Sequence, residues 1–183
     1  MKISIPSNIL VAVSSFVDIK DERKYLRGIY IVVKAHGYMD IVATNGGVLG
    51  KFSCPCDVSN FKAIIPLDVI SFIKKHKGNV ELELDGDVVN VTAGTSSAKF
   101  TCIDGVYPDY TRVLPKTVTD RPANYDVDWL NLIVKANKAL GAKNASHVQI
   151  CQNGSSAGKF TLHNSINLEE YYFEGCIMPM VWM

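Results

Sequence analysis

Apolar and polar positions along the chain alternate with period two, switch to helical spacing, return to period two, and then repeat the cycle. Lys2–Pro6 (KISIP) has the alternation of a short strand, and Pro6-Ser7 is a helix start signal. Ile9, Leu10, Val13, Phe16 and Val17 then share one apolar helix face, leaving Asn8 and Ser15 on the other. Arg27–Lys34 and Tyr38–Thr44 read as strands joined by a turn at His36-Gly37. A second cycle opens at Ala63–Pro66 and continues in the helical stripe Leu67, Val69, Ile70 and Ile73, with Gly78 as its stop. In Asn79–Ala93, Val80, Leu82 and Leu84 alternate with Glu81, Glu83 and Asp85, and Asp85-Gly86 predicts a hairpin turn. Ala98–Ile103 adds a strand.

The third cycle starts at Asn124–Asp128, where Asp128 reads as an N-cap. Its stripe is Trp129, Ile133, Ala136 and Leu140, ending at Gly141. Strands His147–Gln152 and Lys159–His163 flank Asn153-Gly154, and Tyr171–Met180 forms the last strand. Gly37, Gly86 and Gly154 thus mark three related units of about 50–65 residues. Their boundaries fall at residues 1–60, 61–115 and 123–183, with the proline-bearing stretch 116–122 as connector. The predicted class is α+β: three βαβββ-like repeats with helices on one face of antiparallel sheets.

Composition changes this picture little. Hydrophobic residues make up 48% and charged residues 20%, and the net charge of +1 gives no global attraction to nucleic acid. Local charge is more informative. Ser71, Lys74 and Lys75 fall on the polar side of the second helix, and Asn131, Lys135 and Lys138 on one face of the third. Two readings stay open: solvated helix faces, and a surface that contacts phosphates without reading bases. MKISIPSNIL lacks a signal-peptide h-region, and no apolar run reaches the roughly 20 residues of a membrane span, so a cytoplasmic protein with no membrane partner is expected.

Cys54, Cys56, Cys102, Cys151 and Cys176 are odd in number and form no second metal knuckle, so neither a disulfide framework nor a metal site is expected, and no cofactor is implied. His36, His76, His147 and His163 sit near turns or strand ends outside any catalytic motif, and nucleotide-binding and nucleophile-elbow motifs are absent. Asp104 and Asp109 read as turn residues, so no enzymatic activity is expected.

Several segments resemble the bacterial β sliding clamp (DNA polymerase III β subunit) family, in the family's order. Tyr25–Gly28 (YLRG), Val42–Leu49 (VATNGGVL) and Ile64–Pro66 (IIP) are similar to its YLxG, VATDGHRLA and IVPRK stretches. Ile103–Pro115 (IDGVYPDYTRVLP) is similar to DGRFPDYRRVLP, and Ile177–Met180 (IMPM) to the closing VMPMRL. The resemblance implies a ring around duplex DNA, lined by helices, that tethers a polymerase. It also implies a hydrophobic pocket for polymerase and clamp-loader peptides, made here by Leu26, Thr44, Gly46, Leu49, Pro108, Arg112, Val113, Met178, Pro179 and Met180.

Gly47 and Val48 replace the family's His-Arg, and Val181, Trp182 and Met183 replace its Arg-Leu ending. The rim is therefore expected to lose positive charge and to gain an apolar tail. The first two units are similar to the family's middle domain and the third to the last half of its final domain. Twelve repeats in a family ring, at three per chain, imply a homotetramer. The alternative is a clamp-like adaptor or decoy that binds replication-protein peptides without encircling DNA.

Overall fold

The computed structural model describes residues 1–141, 147–162 and 172–180. The first unit runs β1 (Lys2–Pro6), α1 (Ser7–Ser14), β2 (Gly28–Val33), β3 (Tyr38–Thr44) and β4 (Val48–Pro55). The second repeats the order as β5 (Lys62–Pro66), α2 (Leu67–Ile73), β6 (Asn79–Asp85), β7 (Val88–Ala93) and β8 (Ser96–Thr101). The third comprises α3 (Val127–Ala139), β9 (Gln149–Cys151), β10 (Gly158–Leu162) and β11 (Tyr172–Ile177), with no leading strand among the described residues, so the expected βαβββ order is complete only in the first two. The chain is thus α+β, with antiparallel sheets and three helices among the described residues.

The sheets do not follow the units. One has the order β1-β6-β7-β8 and the other β5-β2-β3-β4-β11-β10-β9. The first two units therefore exchange their leading strands: Ile3 lies opposite Leu82 on β6, and Ile65 opposite Ile29 on β2. The third unit joins by antiparallel pairing of β11 along β4, from Tyr172 opposite Ser53 to Ile177 opposite Val48.

Gly50 and Gly175 are partners in that seam. A β-carbon on either would run into an aromatic ring, that of Phe16 at Gly50 and that of Phe160 at Gly175. The two rings stack at 5.8 Å, so the paired glycines admit the aromatic layer that joins the third unit to the first.

Helix α1 touches both α2 and α3, and its Ile9, Leu10, Ala12 and Val13 are wholly buried in the main core. This central position leaves Asn8 and Ser15 half-buried rather than on an open face. The N-cap of α3 is Asp126, whose carboxylate accepts from the Asp128 amide at 2.7 Å; Asp128 lies in the first turn. Residues 152–157 connect β9 to β10, so Asn153-Gly154 begins a longer loop instead of closing a tight hairpin. The last strand stops at Ile177, where the Met178 amide turns to the Gly47 carbonyl at 2.8 Å. His163, Tyr171 and the tail Val181–Met183 lie outside the described residues.

Candidate functional site

On the side of the seven-stranded sheet away from the helices, the segment after β8 folds back as a strap. Tyr107 stacks on Tyr30 of β2, with centroids 4.5 Å apart and rings nearly parallel at 5°. Tyr110 donates its hydroxyl to Asp40 of β3 at 2.6 Å. Asp40 is buried and also accepts from Ser53 at 2.6 Å and pairs with Lys34 at 2.5 Å. Burial pushes the Asp40 carboxyl up, but these three donors outweigh it and hold the group below its ordinary range. The strap is therefore pinned by a buried charge with its hydrogen bonds made. Around it Leu26, Val42, Leu49, Ile64 and Cys176 form a second, smaller core.

Where the strap meets the β4–β11 seam there is a cavity of about 200 Å³. Leu26, Thr44, Gly46, Leu49, Pro108, Val113 and Met178 line it, so most of the predicted pocket residues surround one space. Arg112, Pro179 and Met180 are outside its lining. Arg112 lines a neighbouring shallow groove with Leu114 and Lys116, and the Met180 amide donates to the Asn124 carbonyl at 2.7 Å.

The structure puts Gly47 and Val48, read at the rim from the resemblance, in the wall, and adds wall residues not assigned to the pocket from the sequence: Arg23, Tyr107, Asp109, Tyr110 and Cys176. Cys176 faces Leu49 across the seam, and burial pushes its thiol up to about 12, which keeps it protonated and apolar in behaviour. Gly47 and Val48 bring no charge to the rim, but Arg23 does. Its guanidinium comes within 3.0 Å of a β-carbon placed on Gly46, while Asp21 grips it through two hydrogen bonds of 2.9 and 2.7 Å. A cation thus stands at the rim, supplied by the loop after α1 rather than by the β3–β4 turn.

That turn is fixed from several sides. Asn45 Oδ1 accepts from the Gly47 and Val48 amides, each at 2.9 Å, and Thr44 Oγ1 accepts from the Gly46 amide at 3.0 Å. A β-carbon at Gly47 would enter the six-membered ring of Trp129, in the first turn of α3. The turn is consequently a thin wall with the cavity on one side and an indole on the other. Val113 and Met178 at the mouth are 49% and 41% exposed and form an apolar rim.

The other predicted surface lies on the helix layer. Ser71, Asn131, Lys135 and Lys138 are exposed on α2 and α3. Lys74 and Lys75 are also exposed, but α2 stops at Ile73, so Lys74 is its C-cap and Lys75 lies beyond the helix. Among the described residues, no hydrogen bond or ion pair joins these six side chains to one another.

The fold has known counterparts. A DNA polymerase sliding clamp from Pseudomonas aeruginosa superposes on all of this chain with a TM-score of 0.74 at 17% identity, over 66% of the clamp chain. This is the bacterial sliding-clamp fold. The DNA polymerase III β subunit of Borrelia burgdorferi, solved with a natural product, matches all of the chain at 15% identity and TM-score 0.74, over 63% of its own length. The H. pylori β clamp, in complex with diflunisal, matches 98% of the chain at 15% identity and TM-score 0.74, over 66% of its length. The chain accordingly spans about two-thirds of the clamps it resembles. No protein-family model and no curated protein matches the sequence. No helix among the described residues is long and apolar enough to cross a membrane, and these residues contain no group of three metal-ligating side chains.

Proposed function

We propose that this chain is a sliding-clamp subunit, a non-catalytic processivity factor that encircles duplex DNA and tethers a polymerase through a peptide held in the cavity at the β4–β11 seam. The observation that carries this reading is the division of one clamp fold into two unlike faces. On one lies an apolar cavity of about 200 Å³, sized for one or two anchoring side chains of a peptide, with a few polar groups at its rim. On the other lies a helix layer with Lys74, Lys75, Lys135 and Lys138 exposed, charges suited to phosphate contact without base readout. Polymerase and clamp-loader segments, with aliphatic and aromatic anchors, are the proposed occupants of the cavity. Ser71 and Asn131 join the lysines as the proposed DNA-facing set, and a cytoplasmic, nucleoid-associated location follows from the same role.

The three-unit organisation favours a homo-oligomeric ring, proposed as a tetramer. Because the edge of β4 is taken by the chain's own β11, closure would draw on the strands that end the two sheets, β1 and β8 of one and β5 and β9 of the other. The same occupied edge favours a second reading, an adaptor or decoy that takes peptides and encircles nothing. Native mass spectrometry from nanomolar to micromolar concentration, paired with retention on nicked circular versus linear DNA, separates the two. A closed oligomer retained only on circles supports the clamp. A monomer with no topological retention refutes it and leaves the adaptor.

A further inference from the structure

Three buried side-chain polar atoms have no hydrogen-bond partner among the described residues: Asn90 Oδ1, the Tyr125 hydroxyl and the Tyr107 hydroxyl. Of these residues only Tyr107 lines the cavity. Its ring is 6% exposed and lies flat on Tyr30, so the side chain is held in place by stacking without any help from its oxygen. A phenylalanine would stack equally well, and phenylalanine is what the similar DGRFPDY stretch of the clamp family carries at this position. The hydroxyl is therefore an addition that the free chain does not use, and a buried polar group left unpaired is a cost to the folded state.

We propose that the Tyr107 hydroxyl is a specificity-determining group of the cavity, which donates a hydrogen bond to an amide carbonyl oxygen of the bound peptide. This rests on the reading of the cavity as a peptide site. Burial raises the Tyr107 phenol above its ordinary range, so the group stays neutral and is a donor for an uncharged acceptor. The neighbouring Tyr110 hydroxyl is already committed to Asp40, and Thr44 Oγ1 donates to the Val48 carbonyl at 2.8 Å. Tyr107 is thus the side-chain hydroxyl left to read a ligand. Tyr107 lines the cavity while the strap stays pinned, so a carbonyl of a peptide seated there comes to its hydroxyl without the stack on Tyr30 being broken.

The test is Tyr107→Phe, measured in two ways on the full chain. Thermal unfolding of the free protein should rise by about 2–4 °C, because the unpaired hydroxyl is gone and the stack remains. Binding of a fluorescein-labelled octapeptide bearing two leucines and one phenylalanine, followed by anisotropy, should weaken about fivefold to tenfold. A purely structural role moves both readouts in the same direction, whereas a ligand-reading role moves them in opposite directions. Tyr107→Phe that binds the octapeptide as tightly as wild type overturns the proposal while leaving the peptide site intact. Wild type that does not bind the octapeptide removes the peptide site and the proposal together.

Discussion

Glu174 holds the third unit to the first. On the outer face of the seam it accepts from Lys51 of β4 at 2.6 Å through one oxygen and from Lys159 of β10 at 2.8 Å through the other. The two arms differ in burial: the Lys51 side chain is 7% exposed, Glu174 15% and Lys159 38%. Removing one partner of a buried pair strands the other charge, at about 3–5 kcal/mol, whereas an exposed pair contributes about 0–1 kcal/mol. Glu174→Gln should therefore cost about 3 kcal/mol, the low end because Lys51 keeps the Tyr172 ring 5.0 Å away. Lys159→Met should cost about 0.5 kcal/mol. In urea, with a slope of about 2 kcal/mol/M, the first variant should lose about 1.5 M in midpoint and the second about 0.25 M.

The pH dependence follows the same logic. Burial raises the Glu174 carboxyl, the two lysine hydrogen bonds outweigh it, and the net direction is downward. A carboxylate lowered on folding contributes stability above its unfolded value of about 4.3, and that contribution is lost as pH falls through the folded value. Glu174→Gln should thus flatten the acid limb of the stability profile. Equal midpoints for Glu174→Gln and Lys159→Met would refute the assignment of the energy to the buried arm.

Gly50→Ala should cost about 1–3 kcal/mol in thermal or urea unfolding, since its methyl group displaces Phe16 from the stack with Phe160; an unchanged midpoint would mean that the aromatic layer yields freely. Asp40→Asn should cost about 2–3 kcal/mol and loosen the strap; proteolysis between residues 103 and 114 should accelerate, and the loss should shrink as pH falls from the unfolded carboxyl value of about 3.9 through the lower value of the folded Asp40. Lys135→Glu with Lys138→Glu should leave unfolding unchanged and lower the salt slope of DNA retention by about 2, or by 0 if these lysines meet only solvent. Gly47→Ala should weaken peptide binding and Trp129→Ala should rescue it in the double variant, because positions 47 and 129 compete for one volume; simple additivity of the two changes would count against that steric link.

Helical and hairpin periodicities located most elements because each has one wet face. Tyr38–Thr44 and the Asp85-Gly86 hairpin stand where the pattern puts them. Strand β4 was invisible to that logic: from Val48 to Ser53 every residue is buried, between the helix core on one side and the second core on the other, so no alternation survives. The exchange of β1 and β5 between units leaves no trace in local spacing either, because pairing partners are chosen by tertiary fit. The cavity was legible only through motif resemblance, and that route missed Arg23 and Cys176. Strand parity carried a signal for Cys176, two residues before Met178 on the outward face of β11. Nothing local announced Arg23, which reaches the rim from a loop.

The exchanged leading strand also imposes an order on biosynthesis. Lys2 pairs with Glu83 and Pro6 with Asn79, so β1 leaves the ribosome long before its partner strand exists. At roughly 5–20 residues per second the wait is roughly 4–16 s, during which Ile3 and Ile5 have no sheet to join. The nascent chain must carry an unpaired apolar strand through that interval, and completion of β6 is the event that ends it.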